Sequence, residues 1–272
     1  MLKYLRKYGD KDLKKFINNM KKYNKYAIRS AKAELKSEVA DSYLNWLWWI
    51  IEPFCFMVIY TFVFGYVFKN NTPYFASFVM LGLAFYDFFS RMVTGSPNLI
   101  INNRGLVTKV YIPKYILLYS KSLTYLFKMF ISIAIAFALM AFQHVPFTWH
   151  IVLIIPVILV LYVVSFGIGV ILMNFGVFLN DLANLVRIAM RMVFYLAGVF
   201  YDLQSRVGGT LGYFLLRCNP IALFMQQARR VAIYGKNLSL GVLGLWLLVG
   251  LIMCAIGIHN IHKNENSYAK VI

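Results

Sequence analysis

The feature that most constrains this chain is a series of long apolar segments separated by polar or basic residues. Crossing the roughly 30 Å hydrocarbon core of a bilayer takes about 20 residues of α-helix. Candidate spans occupy residues 46–68, 74–93, 115–142, 150–178, 188–201 with a continuation, and 240–262. With 61% hydrophobic and only 14% charged residues, the composition excludes a disordered chain and a small disulfide scaffold. The sequence therefore predicts an all-α membrane protein with six transmembrane helices.

The distribution of basic residues predicts how these spans are oriented. The chain has 28 Lys and Arg against 10 Asp and Glu, a formal net charge of +18. With the N-terminus inside, 21 of the 28 basic residues lie on the cytoplasmic side and 6 outside, with Lys128 within a span. The positive-inside rule thus predicts a multi-pass protein of the cytoplasmic membrane with both termini in the cytoplasm. Because the basic residues flank apolar blocks instead of covering one folded face, we expect no nucleic-acid partner.

An amphipathic segment precedes the first span. Residues 26–43 place Ile28, Ala31, Leu35 and Val39 on one helical stripe, with charged residues elsewhere. This pattern favours an interfacial helix along the inner membrane surface, with a solvated helix as the alternative. We therefore expect a cytoplasmic N-terminal segment over 1–45.

A second unusual segment comes before the last span. Residues 204–233 are apolar but interrupted by several glycines and by Pro220, so they do not form one clean span. They predict a re-entrant pair of short helices on the outer side. The transmembrane domain then covers 46–262, and a short cytoplasmic tail covers 263–272.

Polar side chains within the spans are the candidate functional residues, because placing a charge inside a membrane costs free energy and such charges usually have a function. Lys121, Tyr125 and Lys128 share one face of the third span. Arg191 and Tyr195 form a similar stripe on the fifth. We expect these five residues to line a translocation pathway from its inner mouth.

An ion pair within the protein is the alternative role for Lys128. Its expected partner is then Glu52 or Asp87, whereas the i, i+4 spacing of Asp87 and Arg91 favours a pair between those two.

The sequence contains no pattern that predicts catalysis, a metal site or a cofactor. The three cysteines, Cys55, Cys218 and Cys254, are far apart, and the four histidines form no metal-binding constellation. There is also no phosphate-binding loop of the G-x-x-x-x-G-K-[ST] type. The chain is therefore not expected to be an enzyme, and any ATP-driven work needs a separate ATPase.

Four segments in this order resemble the type 2 ATP-binding-cassette (ABC) export permeases. Residues 34–54 resemble the family's amphipathic helix followed by a Trp and Pro pattern, with Asn45 where glycine is usual. Residues 102–113 are similar to its cytoplasmic coupling helix. Residues 180–187, followed by 198–201, are similar to the motif that enters the fifth span, and Asn219-Pro220 with two downstream arginines is similar to the close of the external segment.

The resemblance implies a homodimer that works with two copies of a separate ATPase subunit. Within the family, residues 34–54 and 58–65 look most like the wall teichoic acid exporter permease. The implied activity is export of a lipid-linked polymer, carried on polyprenyl diphosphate, across the cytoplasmic membrane. O-antigen or capsular polysaccharide export, small-molecule export and a non-transporting membrane scaffold are the alternatives.

The resemblance also implies roles for particular residues. The coupling region, residues 96–114, is expected to contact the ATPase. The residues expected to make contact with the ATPase are Arg104, Leu106, Lys109, Glu34 and Glu38. The residues expected at an external gate are Tyr201, Asn219 and Pro220.

Overall fold

The protein is a bundle of helices. The computed structural model describes residues 2–40, 43–203 and 209–271, and this part of the chain contains helices and turns but no strand. The helices are α1 Leu2–Val39, α2 Trp48–Tyr60, α3 Phe75–Gly95, α4 Leu99–Asn102, α5 Arg104–Lys109, α6 Tyr115–Phe142, α7 Ile154–Gly176, α8 Leu182–Leu196, α9 Gly209–Cys218, α10 Pro220–Ala232 and α11 Leu240–Val271. Short 3₁₀ turns at Asn45–Leu47 and Trp149–Leu153 precede α2 and α7, and α2 continues as a wider π-helix over Thr61–Val67.

Five helices within the described residues are long and apolar enough to cross a membrane. They cover Asn45–Val67, Phe75–Gly95, Tyr115–Phe142, Trp149–Gly176 and Leu240–Glu265. These match five of the six predicted spans within a few residues. The remaining predicted span, 188–201, corresponds to α8, which has 15 residues. At 1.5 Å per residue α8 is about 22 Å long and ends short of a full crossing.

Asn45 adopts the left-handed conformation that glycine usually supplies. Its φ is 50°, and asparagine is one of the few residues besides glycine that visits this region at low cost. The chain therefore turns before α2 at an asparagine.

Helix α1 is longer than the predicted amphipathic helix and packs differently. It is continuous from Leu2 and ends at Val39, while residues 41 and 42 of the predicted segment lie outside the described residues. The buried stripe contains Ala27, Ala31 and Val39, whereas Ile28 is exposed. This stripe packs against α6, so one side of α1 is covered by protein.

Helix α3 lies at the centre of the bundle. Most of its residues are buried, and it contacts α2, α6, α7, α8 and α10. Helices α7 and α11 form the closest pair. A Cβ atom added to Gly167 would lie 2.9 Å from the carbonyl oxygen of Gly250, and one added to Gly250 would lie 2.9 Å from Val164. Small residues at such positions let membrane helices approach closely.

Helix α1 and the last part of α11 meet the start of α6 at one end of the bundle, which we call the basal end. Here Asn19 of α1 donates to the hydroxyl of Tyr115 at 2.8 Å, and Tyr115 also packs edge-on against His262 of α11. Lys114 lies 3.9 Å from Glu265. The opposite end, with α9 and α10, is called the distal end.

Candidate functional site

A charged cavity lies in the middle of the bundle between α2, α3, α6 and α8. Its volume is about 180 Å³. We call it the central cavity. It is lined by Trp49, Glu52, Pro53, Phe56, Tyr60, Leu83, Ala84, Asp87, Phe88, Arg91, Tyr125, Lys128, Met129, Ser132 and Phe194. Four charged groups and several aromatic rings thus share one space among membrane-spanning helices.

Helical periodicity explains why these side chains meet. On α6, Tyr125, Lys128 and Ser132 are spaced i, i+3 and i+7, which places them on one face. Asp87 and Arg91 are spaced i, i+4 on α3. These faces point at each other because α3 and α6 are neighbours along much of their length.

The cations of the central cavity are paired with carboxylates. The Arg91 guanidinium lies 3.7 Å from the carboxylate of Glu52, and both side chains are about half exposed. The Lys128 ammonium lies 2.6 Å from the carboxylate of Glu38, which belongs to α1. Asp87 has no hydrogen bond or ion pair within the described residues, although Arg91 and Glu52 are its charged neighbours.

The partner of Lys128 is therefore neither Glu52 nor Asp87, and Asp87 does not form the expected pair with Arg91. Glu52 sits on α2, across the cavity from Arg91, and takes that guanidinium. Glu38 reaches Lys128 because α1 runs alongside the first half of α6.

A ladder of polar contacts joins α1 to α6. Glu34 accepts hydrogen bonds from Lys121 at 2.5 Å and from Thr124 at 3.4 Å. Glu38, one turn further along α1, pairs with Lys128, two turns further along α6. Nearer the basal end, Tyr119 donates to Asn24 at 3.0 Å and Ser120 to the carbonyl of Ala27 at 3.2 Å. The two helices run in the same direction. The i, i+4 spacing keeps the two glutamates on one face of α1, and the i, i+7 spacing keeps the two lysines on one face of α6.

The structure brings only some of the expected pathway residues together. Tyr125 and Lys128 line the central cavity. Lys121 does not line it and is paired with Glu34. Arg191 and Tyr195 lie on an exposed face of α8, while their neighbour Phe194 faces the cavity. In a single chain the two cationic stripes therefore face different spaces.

The two glutamates expected to contact an ATPase form ion pairs with α6 of the same chain. The side chains of Glu34 and Glu38 are 19% and 34% exposed, and both carboxylates face α6. Contact between these residues and an ATPase stays a prediction.

The predicted coupling region forms two short helices, α4 and α5, at the basal end. Arg104 and Lys109 are exposed, as a contact with a partner requires, but Leu106 is partly buried and packs on the core. The apolar side chains exposed here are Val110 and Tyr111 just after α5, together with Ile101 of α4. These three side chains were not predicted as contact residues; their position around the short helix was the signal available.

The distal segment folds as the predicted pair of short helices, α9 and α10, with residues 204–208 outside the described residues. Asn219 begins α10, because its side-chain oxygen accepts from the backbone N–H of Ile221 at 3.2 Å, and Pro220 occupies the first turn. This is the usual chemistry of a helix start. Tyr201 donates to the carbonyl of Tyr195 at 2.8 Å and so closes the turn after α8.

Arg229 fastens α10 to the bundle, a role that the sequence did not reveal. Its guanidinium donates to the carbonyls of Phe78, Gly198 and Val199 at 3.1, 2.8 and 2.8 Å and stacks 3.5 Å from the ring centre of Phe78. A Cβ atom at Gly82 would lie 2.2 Å from this guanidinium. The absent side chain at position 82 therefore makes room for Arg229.

Comparison with known proteins decides the family. The sequence profile of the ABC-2 type transporters matches residues 28–233, about three quarters of the chain. The chain belongs to the ABC-2 type transporter family. It is 29% identical over 218 residues to an O-antigen export system permease protein of Myxococcus xanthus, covering 80% of this chain and 84% of the relative.

Two further relatives of this ABC-2 type transporter are similar over most of their length. An O-antigen export system permease protein of Klebsiella pneumoniae is 24% identical over 244 residues, covering 88% of this chain and 92% of the relative. A polysialic acid transport protein of Escherichia coli is 23% identical over 244 residues, covering 80% of this chain and 86% of the relative.

Proposed function

We propose that this chain is the membrane-spanning permease subunit of an exporter that moves a lipid-linked glycan polymer outward across the cytoplasmic membrane. The energy comes from ATP hydrolysis in a separate subunit. The observation that carries the proposal is the central cavity, where charged, hydroxyl and aromatic side chains meet between four membrane-embedded helices. Family membership and the names of the three relatives support polymer export.

The central cavity favours a sugar-rich substrate over a dense polyanion. Aromatic rings offer flat faces to sugar rings, and tyrosine hydroxyls and serine can hydrogen-bond to sugar hydroxyls. The charges in and beside the cavity are Glu38, Glu52 and Asp87 against Arg91 and Lys128. Because the carboxylates are not outnumbered, the cavity itself has no surplus of positive charge.

The identity of the polymer is the finer part of the proposal. Sequence motifs favour wall teichoic acid, and the relatives' names favour O-antigen or capsular polysaccharide, in each case carried on polyprenyl diphosphate. A cavity without surplus positive charge supports the polysaccharide alternative, whereas a polyol-phosphate polymer requires cations from elsewhere, such as Arg191 on α8.

A homodimer is proposed because α2 and α8 present large apolar faces. Leu185, Ile188 and Met192 of α8 are each more than half exposed, as are Ile59 and Phe62 of α2 and its π-helical continuation. Packing two copies on these faces brings Arg191 and Tyr195 of both copies toward a shared space. The translocation pathway is then completed between the copies.

The basal end is proposed to lie in the cytoplasm and to receive the ATPase. The basic residues concentrate there, and α4 and α5 expose a polar island with apolar side chains on its edge. The external gate is correspondingly proposed at the distal end, where Tyr201, Asn219 and Pro220 hold the turn after α8 and the start of α10.

Copurification from native membranes tests this proposal. We expect the tagged protein to carry a soluble ATPase and a lipid-linked polymer, and mass analysis of that polymer distinguishes sugar repeats from polyol-phosphate repeats. Recovery of the ATPase with a small hydrophobic compound in place of a polymer identifies a small-molecule exporter. Absence of any ATPase from complexes isolated under several mild conditions supports a non-transporting scaffold and contradicts the proposal.

A further inference from the structure

A second cavity, at the distal end, contains a cluster of cations that nothing in the proposed pathway uses. Its volume is about 310 Å³, near the lower limit of the roughly 300–1,000 Å³ that is typical of small-molecule sites. We call it the distal cavity. Among its walls are the turn after α8, helices α9 and α10, and the turn that follows α10. The charged and hydroxyl side chains that line it are Arg229, Arg230, Lys236, Asp202, Tyr201 and Tyr234.

The positive charge of this cavity exceeds its negative charge. Three cations line it, and Asp202 is the carboxylate among the described lining residues. Arg229 is almost completely buried, at 5% exposure. Its three hydrogen bonds go to backbone carbonyls, which are neutral acceptors, and Asp202 is the carboxylate that interacts with its charge.

The other two cations that line the cavity are exposed at its edge. Arg230 and Lys236 are both exposed and are held near each other, because the backbone N–H of Lys236 donates to the carbonyl of Arg230 at 2.9 Å. Neither forms an ion pair with a carboxylate within the described ranges of the chain. A buried cation with two further cations above it favours an anion in the space between them.

We propose that the distal cavity is a binding site for an oxyanion, a phosphodiester or a sugar carboxylate. An arginine fork and an ammonium group match the oxygens of such a group with charge-assisted hydrogen bonds. The oxyanion comes either from the polymer as it leaves or from a phospholipid headgroup of the facing leaflet. The site goes beyond the proposed function. Of the two sources of the oxyanion, only the polymer depends on that function.

The experiment uses the full chain in nanodiscs of phosphatidylcholine and two soluble probes, glycerophosphoglycerol for a phosphodiester and glucuronate for a carboxylate. Ligand-observed NMR titration gives the affinity of each probe. We expect at least one probe to bind. The Arg230→Gln, Lys236→Gln double variant should bind it about a hundredfold more weakly, since each of the two lost charge-assisted hydrogen bonds is worth about tenfold in affinity. Lys69→Gln removes another distal cation outside the cavity and is expected to leave the affinity unchanged.

A second arm separates the two sources. Phosphatidylglycerol is added to the nanodiscs, and displacement of the soluble probe identifies the lipid headgroup as the natural source. An unchanged probe affinity assigns the site to the polymer. Both side chains are exposed, so the double variant is expected to keep the melting temperature of the wild type; if it does not, Lys236→Gln alone is titrated instead.

The proposal is overturned if neither probe binds and phosphatidylglycerol is retained no better than in the double variant. The same holds if Lys69→Gln weakens binding as much as the double variant does. Binding is read without transport, so a protein that binds the probe but exports nothing refutes the proposed function and leaves the distal site intact.

Discussion

Removing the carboxylate that holds Lys128 should destabilise the protein by about 2 kcal/mol. Removing one partner of a fully buried ion pair costs about 3–5 kcal/mol, whereas exposed pairs contribute about 0.2–1 kcal/mol. Lys128 and Glu38 are 2.6 Å apart, with side chains 19% and 34% exposed, and so lie between these limits. Glu38→Gln keeps the shape of the side chain and leaves the ammonium without its carboxylate.

A double-mutant cycle measures this interaction directly. Thermal unfolding of the full chain in detergent is compared for Glu38→Gln, Lys128→Met and the double variant. A loss of about 2 kcal/mol corresponds to a fall of roughly 4–8 °C in melting temperature for a chain of this size. The double variant is expected to lose less than the two single losses added together, because the second change removes a charge that is already unpaired.

Asp181→Asn is the matched control, since it neutralises an exposed carboxylate at the start of α8. It should leave the melting temperature within about 1 °C of the wild type, because surface substitutions usually change stability little. The reasoning is refuted if Glu38→Gln behaves like this control or if the two single losses add. If the double variant recovers both the melting temperature and export, Lys128 has no part in the pathway.

Two further predictions concern the ends of the bundle. Gly82→Ala is expected to lower the free energy of unfolding by about 2–3 kcal/mol, because the added methyl displaces the Arg229 guanidinium from its buried carbonyls. Gly241→Ala, with open space around it, should be neutral. Equal melting temperatures for the two variants contradict this role of Arg229. Val110→Asp, at an exposed position just after α5, should reduce copurification of the ATPase severalfold at unchanged stability. Leu106→Asp should lower the melting temperature itself, because Leu106 packs on the core. The opposite assignment of the two effects contradicts the proposed docking surface.

The number and position of most spans could be predicted from sequence because apolar length and composition depend on local segments. Residues 115–142 were predicted with the same limits that α6 has. The shape of α8 was harder to predict. Gly198, at φ 72°, turns the chain after Leu196, and a Cβ there would lie 2.8 Å from Leu203. The short helix therefore depends on contacts with the turn that follows it.

The pairing of charges could not be predicted in the same way because it depends on how helices far apart in sequence are placed. The i, i+4 rule pointed to a local pair between Asp87 and Arg91, yet Glu52 from another helix takes the guanidinium. Glu38 and Lys128 are 90 residues apart, and nothing local fixes the position of α1 beside α6. The signal that was present is that the two glutamates share one face of α1 and the two lysines one face of α6, which becomes informative once α1 is known to run along α6.

The central claim is that the central cavity lies on the path of the exported polymer, and site-specific photo-crosslinking tests it most directly. A photoreactive amino acid replaces Ser132, which lines the cavity, or Leu248, which lies on the exposed face of α11. In membranes that are actively exporting, the account predicts that polymer crosslinks at position 132 and depends on ATP, with lipid alone crosslinking at position 248. Equal labelling of both positions by lipid, with no polymer at position 132, would contradict it.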